Sequence, residues 1–337
     1  MAESKVGTPF PELAPFCRKA AADGIVLLRN KENMLPLTKE DTVAIFGRCQ
    51  IDYYRSGTGS GGSVNVPYST NLISGLRNYE WLKLNEELIE VYEEWLRDHP
   101  FNKGDGSWAS EPWHQEEMPL SDELVETVAK TSNKAIVVIG RTAGEDQDNE
   151  VRPGSYLLTK AEEDMVSVVT KHFANVAVVF NVSNIVDMQW TEENESVKAI
   201  LYTWQGGIEG GNATADVLTG AVSPSGHLTD TIAKNVENYP FFHEYGDHYT
   251  SYYKEDIYVG YRYFETFDKE AVLYPFGYGL SYTTFDWQIE DAVVMGEGRD
   301  TRIQIRAKVK NTGSCAGKEV LQLYVEAPQG KIGRAHV

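Results

Sequence analysis

Along most of the chain, short unbroken apolar runs alternate with stretches whose apolar residues recur every three or four positions. Ile25–Asn30 (IVLLRN), Thr42–Phe46, Lys134–Gly140 (KAIVVIG), Val176–Val182 (VAVVFNV) and Lys198–Trp204 (KAILYTW) are of the first kind and predict buried strands. Pro11–Ala22, Asn71–Asp98, Lys160–His172 and Gly210–Leu218 are of the second kind and predict helices. Gly24 is a stop signal for the first of these, and the second is interrupted near Asn78. Continuous apolar strands separated by helices predict an α/β fold, a mostly parallel sheet covered on both faces. Two stretches break the rhythm. One is the small-residue loop RSGTGSGGSVNVP (Arg55–Pro67); the other, residues 99–119 (HPFNKGDGSWASEPWHQEEMP), is polar, carries two tryptophans, and reads as an excursion lining something.

After Tyr282 the period changes to two. FDWQIEDAVV, TRIQIRAKVKN and KEVLQLYVEAP alternate apolar and polar residues between glycine-containing turns, which predicts three antiparallel strands of a second domain. A sandwich of the immunoglobulin type takes about seven strands, so this one reads as incomplete. The expected organisation is a flexible arm at 1–10, an α/β sandwich at 11–285, and an incomplete β-sandwich domain at 286–331. Residues 332–337 (IGRAHV) match the translation of a common sequencing-adapter read and are expected to be a non-native tail.

Composition narrows the partners. The 337 residues carry 31 Lys+Arg against 50 Asp+Glu, a formal charge of −19, with 42% hydrophobic and 24% charged residues. That is globular composition. The acidity argues against nucleic acid and against anionic membrane surfaces, and says nothing about a neutral sugar. Three cysteines (Cys17, Cys49, Cys315) do not suggest a disulfide framework and fit a reducing compartment. No apolar run reaches the roughly 18 residues of a membrane span, and MAESKVGTPF lacks the features of a signal peptide, so a cytoplasmic location is expected.

Candidate chemistry sits in the loops. Gly57–Gly62 (GTGSGG) satisfies G-x-G-x-x-G, but that fingerprint works through a tight turn directly from strand to helix. Here nine residues separate Gly47 from Gly57, and eight more separate Gly62 from the next helical pattern. A loop packing bare backbone against another chain or a ligand, with Ser60 able to donate to a ligand hydroxyl, and a plain connector are the other readings. After the strand ending at Gly140, Glu145 and Asp146 form an acidic cluster with Asp148, Glu150 and Arg141 nearby. It is open to three readings: a solvated turn, a divalent-cation site without the EF-hand pattern, or one carboxyl of raised pKa acting as a general acid. No G-x-S-x-G elbow and no H-E-x-x-H spacing occurs, and no metal or cofactor is expected. His114, His243 and His248 read as surface or packing histidines. The aromatic residues crowded into 239–287 read as interface packing that could also stack on sugars.

Six fragments in order extend this picture. They are AADGIVLLRNKENMLPL (21–37), the GTGSGGS loop, VVIGRTAGEDQDN ahead of GSYLLT, WQGGIEGGNATADVLTGAVSPSGHLTDT (204–231), DIYVGYRYFET (256–266) and YPFGYGLSYTTF (274–285). In these the chain resembles glycoside hydrolase family 3, of β-glucosidase type, and residues 309–328 resemble the start of that family's fibronectin-III-like domain. The resemblance implies a two-part active site. A (β/α)8 barrel supplies an aspartate nucleophile and most glycone contacts; the six-stranded α/β sandwich supplies the acid/base glutamate. The order of parts resembles the permuted bacterial β-glucosidases with the barrel last, and the barrel is missing from this chain. By its match to the G-E of the family's G-E-G-x-D-R pattern, Glu145 inherits the acid/base role, while Asp146 and Asn149 depart from the pattern at its second Gly and its Arg. Ser60 matches a loop serine that touches the sugar in some members. The implied mechanism is retaining, with carboxyls about 5–5.5 Å apart. Implied partners are a β-linked oligosaccharide or glucoside substrate and the missing barrel, with no nucleic acid and no membrane; a homodimer is left open. A β-xylosidase or arabinosidase of the same family, a non-catalytic saccharide-binding module, and a nucleotide-dependent oxidoreductase resting on the glycine loop are the competing readings.

Overall fold

The computed structural model describes residues 12–62, 64–244 and 249–325; the arm expected at 1–10, the tail expected at 332–337, and His248 lie outside the described residues. The central sheet comprises β1 (Val26–Asn30), β2 (Thr42–Phe46), β3 (Lys83–Leu84), β4 (Lys134–Gly140), β5 (Val176–Asn181) and β6 (Val197–Tyr202). Their order is β1-β6-β5-β4-β2-β3. Only the β1–β6 pairing is antiparallel, so the sheet is mostly parallel, as the apolar runs predict.

Around it lie α1 (Leu13–Gly24), α2 (Leu72–Leu76), α3 (Glu86–Asp98), α4 (Asp122–Thr131), α5 (Lys160–His172), α6 (Gln189–Glu192), α7 (Gly210–Leu218) and α8 (Tyr261–Phe267). One face of β4 and β5, through Val137, Ile139, Val178 and Phe180, packs with Tyr92 of α3, Val125 of α4 and Met165 of α5. The other face, through Ile136, Val138, Ala177 and Val179, packs with Ala22 of α1, Leu72 of α2 and Val217 of α7. Both faces are dry, which is why these strands read as unbroken apolar runs.

The helical stretch expected over Asn71–Asp98 with an interruption near Asn78 is three elements, α2, β3 and α3. Asn71 accepts the Ser74 N–H (2.8 Å) to cap α2, and Asn85 accepts the Leu88 N–H (3.0 Å) to cap α3. Each cap restarts a helix, and Lys83–Leu84 between them joins the sheet edge beside β2. Helix α4, capped by Ser121, carried no sequence expectation.

Past the short antiparallel pair β7 (Ile232–Ala233) and β8 (Val272–Tyr274), the chain forms an antiparallel hairpin of β9 (Phe285–Met295) and β10 (Arg302–Asn311). Of the third expected strand, the described residues 318–325 form none. A period-two pattern provides a face, but a strand also needs a neighbour to complete its hydrogen bonds.

Candidate active site

The loops leaving the C-terminal ends of β2, β4, β5 and β6 meet on one side of the sheet, where open α/β folds bind ligands. Asn181, fully buried at the end of β5, draws three of them together. Its Oδ1 accepts the Tyr54 N–H (2.7 Å), while its Nδ2 donates to the carbonyls of Tyr54 (3.0 Å) and Trp204 (2.8 Å). Gln205 adds a further tie, donating through Nε2 to the carbonyl of Arg141 (3.0 Å).

Glu145 stands at the tip of a tight turn. Gly144 and Gln147 exchange backbone hydrogen bonds (3.1 and 3.0 Å), leaving Glu145 and Asp146 as the two central residues, the second at φ +61°. The glycine loop lies against this turn: Thr58 N–H donates to the Ala143 carbonyl (3.2 Å). Gly59 has φ +78°, and a Cβ there would fall 2.6 Å from the Cβ of Glu145. Ser60 donates its backbone N–H to Glu145 Oε2 at 3.4 Å. The two residues singled out in the sequence, 85 positions apart, are thus neighbours, joined by the serine's backbone rather than by its hydroxyl. Both are exposed, so this chain does not itself supply the burial on which the general-acid reading leaned.

The 99–119 excursion closes the other side. Trp108 donates its indole N–H to Asp146 Oδ2 (2.7 Å), and Trp113 donates to the Asp148 carbonyl (3.0 Å). The Arg152 guanidinium lies 5.1 Å over the Trp113 ring. Between excursion and glycine loop runs a cleft of about 510 Å³ that includes Tyr53, Arg55, Gly59, Phe101, Lys103 and Glu111. Burial holds the Glu111 carboxyl above its usual range against the pull of Arg55 and Lys103.

Arg141 does not belong to the acidic cluster. It is buried and turned inward, making two 2.6 Å bonds to Glu162 of α5 and donating to the carbonyls of Ser155 (3.1 Å) and Leu157 (3.2 Å). Asn149 is equally structural: Nδ2 donates to the Ile185 carbonyl (2.9 Å) and Oδ1 accepts from Ser155 Oγ (2.6 Å). Asp148 and Glu150 are exposed, and among the described residues no group of three or more His, Cys, Asp or Glu is arranged to hold a metal. His114 packs against Gly154, and burial lowers its pKa; His243 is exposed beside the Phe242 ring. Of the aromatic stretch, Tyr239, Phe264 and Tyr274 are buried, whereas Tyr249, Tyr252 and Tyr253 are exposed. The glycine loop also fails the nucleotide geometry, since α2 begins only at Leu72.

Residues 25–282 match the glycosyl hydrolase family 3 C-terminal domain. The chain belongs to glycoside hydrolase family 3. A β-glucosidase of Ruminococcus albus is 49% identical over 95% of this chain and 33% of its own length. β-Glucosidase A of Butyrivibrio fibrisolvens is 39% identical over 94% of this chain and 42% of its own. The crystal structure of a β-glucosidase from Paenibacillus barengoltzii superposes with a TM-score of 0.95 at 51% identity, covering 99% of this chain and 37% of that one. β-Glucosidase 3B of Thermotoga neapolitana, solved with α-D-glucose, gives 0.85 at 34% identity, over 98% and 47%. This family 3 chain therefore spans about a third of the length of the first of these relatives.

Within the family 3 chain, sequence reasoning missed Asn181, Gln205 and the indole of Trp108. The one signal for Asn181 is its position, a polar residue ending the apolar run VAVVF.

Proposed function

We propose that this chain is the acid/base half of a retaining β-glucosidase acting on terminal β-D-glucosyl residues of oligosaccharides or glucosides. Glu145 protonates the glycosidic oxygen while an aspartate of a (β/α)8 barrel, outside this chain, forms the glycosyl-enzyme; Glu145 then takes a proton from the attacking water. The observation that carries this reading is the turn itself, a glutamate presented at the rim of the sheet and braced by the glycine loop. Its exposure fits a group whose enclosing wall is the barrel, and the relatives' greater length leaves room for one. Ser60, beside it, touches the sugar in this reading. In this reading residues 11–285 are the sandwich, 286–331 begin a fibronectin-III-like domain, and the enzyme is cytoplasmic.

The chain by itself is then inactive, and joined to its barrel it hydrolyses an aryl β-glucoside. Glu145→Gln in the joined enzyme lowers turnover by about 10²–10⁴-fold. Strong hydrolysis by the isolated chain, or a Glu145→Gln enzyme with unchanged turnover, would overturn the proposal.

A further inference from the structure

The cleft of about 510 Å³ lies within the size range of small-ligand sites, and the Glu145–Asp146 turn is fastened to both of its walls. Gly59, in the glycine-loop wall, is so near that a Cβ there would fall 3.3 Å from Glu145 Oε2. Trp108, whose neighbours Ser107 and Ala109 belong to the excursion wall, donates its indole N–H to Asp146 Oδ2 at 2.7 Å. The carboxyl of Glu145 therefore stands where the two walls meet. With the nucleophile and the glycone it attacks in the barrel, the part of a substrate left for this cleft is the leaving group.

The side chains there suit a sugar. Glu111, half-buried in the excursion wall, makes no hydrogen bond or ion pair among the described residues, so its carboxyl oxygens are open to hydroxyl donors. The nearby cations do not close on it: Arg55 donates to the carbonyls of Gly62 (3.3 Å) and Val64 (3.2 Å), and Lys103 forms no ion pair among the described residues. A partly desolvated carboxyl without a partner costs free energy that ligand hydroxyls would offset. Three residues before it, Trp108 is 52% exposed; no ring or cation stacks on it among the described residues, and its bond to Asp146 holds the indole beside the turn. A pyranose offers hydroxyls at its rim for the carboxyl and an apolar C–H face for the ring. An aryl group offers only the second, and a small alkyl group neither.

We propose that Glu111 and Trp108 are specificity-determining residues: the cleft takes a saccharide leaving group, Glu111 accepting its hydroxyls and the Trp108 ring packing on its C–H face. Oligosaccharides are then preferred over alkyl and aryl glucosides. This names the substrate class of the site already described and rests on the reading of Glu145 as general acid/base.

Cellobiose and methyl β-glucoside both release a poor leaving group that needs a proton, but only cellobiose brings a ring to the cleft. In the enzyme joined to its barrel, Glu111→Ala and Trp108→Ala are each expected to lower kcat/KM for cellobiose about ten-fold, mainly through KM, while methyl β-glucoside changes less than about two-fold. The methyl glucoside rate reports in the same experiment that each variant is folded. For either variant, an equal fall on both substrates or no fall on cellobiose overturns that residue's role. Glu145→Gln, run on the same pair, separates the two levels, because it should slow both substrates alike. If it slows neither, the acid/base reading fails; if it slows both and the excursion variants do not tell the substrates apart, only the leaving-group site fails.

Discussion

Burial pushes the carboxyl of Glu117 up to about 8, so that it titrates near neutrality. It lies in the 99–119 excursion, accepting the N–H groups of Arg48 (3.0 and 3.1 Å) and Met118 (2.9 Å); these bonds favour the charged form without offsetting desolvation. The folded value lies above the ordinary 4.5, so the unfolded chain gives up the proton first as pH rises. Stability from this group is complete below about pH 4.5 and is lost through about pH 8, with a slope of at most about 1.4 kcal/mol per pH unit. Glu117→Gln, which keeps an acceptor and removes the titration, should flatten the fall in Tm between pH 5 and 9 relative to the parent. Parallel Tm–pH curves for the two proteins would count against it. Nothing in WHQEEMP separates Glu117 from its neighbour Glu116; burial is a property of the fold, and a local pattern cannot carry it. Glu145 was legible for a different reason, because a short motif carries it, but Trp108, which bonds its neighbour Asp146, sits in a stretch with neither period nor motif.

Arg141 and Glu162 show the same limit between elements. Glu162 is in the first turn of α5, where it exchanges hydrogen bonds with Thr159 (2.7 and 3.2 Å) as a helix cap while accepting both bonds from Arg141 at the end of β4. Burial, the largest influence, pushes its carboxyl up, but the Arg141 charge and bonds prevail and hold it below the usual range. Removing the cation leaves a buried carboxylate alone, so Arg141→Met should cost about 3–5 kcal/mol in urea or thermal unfolding. The cost should shrink toward acid pH, where Glu162 takes a proton, and adding Glu162→Gln should recover part of it. A loss under about 1 kcal/mol at neutral pH would show that the pair is not the tie between β4, α5 and the loop at 150–158. The elements themselves were legible, since β4, β5, α5 and α7 are each a clean run of one period. In the stretch at 71–98 the break near Asn78 was legible, and α2 ends there, but the restart at the Asn85 cap and the short strand between were not.

At the scale of the whole molecule the sheet class was readable, but which loops meet was not: the Asn181 tie and the Trp108 bond join residues far apart in sequence. The unevenness of the fold is testable directly. Residues up to about 283 share two large buried clusters on either face of one sheet, whereas the β9–β10 hairpin exposes Trp287 (55%), Ile289 (63%), Val294 (66%) and Ile303 (53%). A two-stranded hairpin is marginal in water without a third layer. The polar ties to the sheet domain include, from the hairpin, Thr283 Oγ1 donating to Asn311 Oδ1 (2.8 Å) and, from the segment after it, Gln322 Nε2 donating to the Gly277 carbonyl (2.8 Å) and the Lys318–Asp23 ion pair. Local opening there should need far less free energy than opening the sheet, and proteolysis follows the population of open states. Brief trypsin or chymotrypsin treatment, read by intact mass, should therefore cut first at Trp287, Arg299, Arg302 and Arg306 and leave a core ending near residue 285. Equal cutting rates in the hairpin and in the β4–β5 region would mean that the two share one cooperative unit, and that the exposed apolar face is braced by more than these ties.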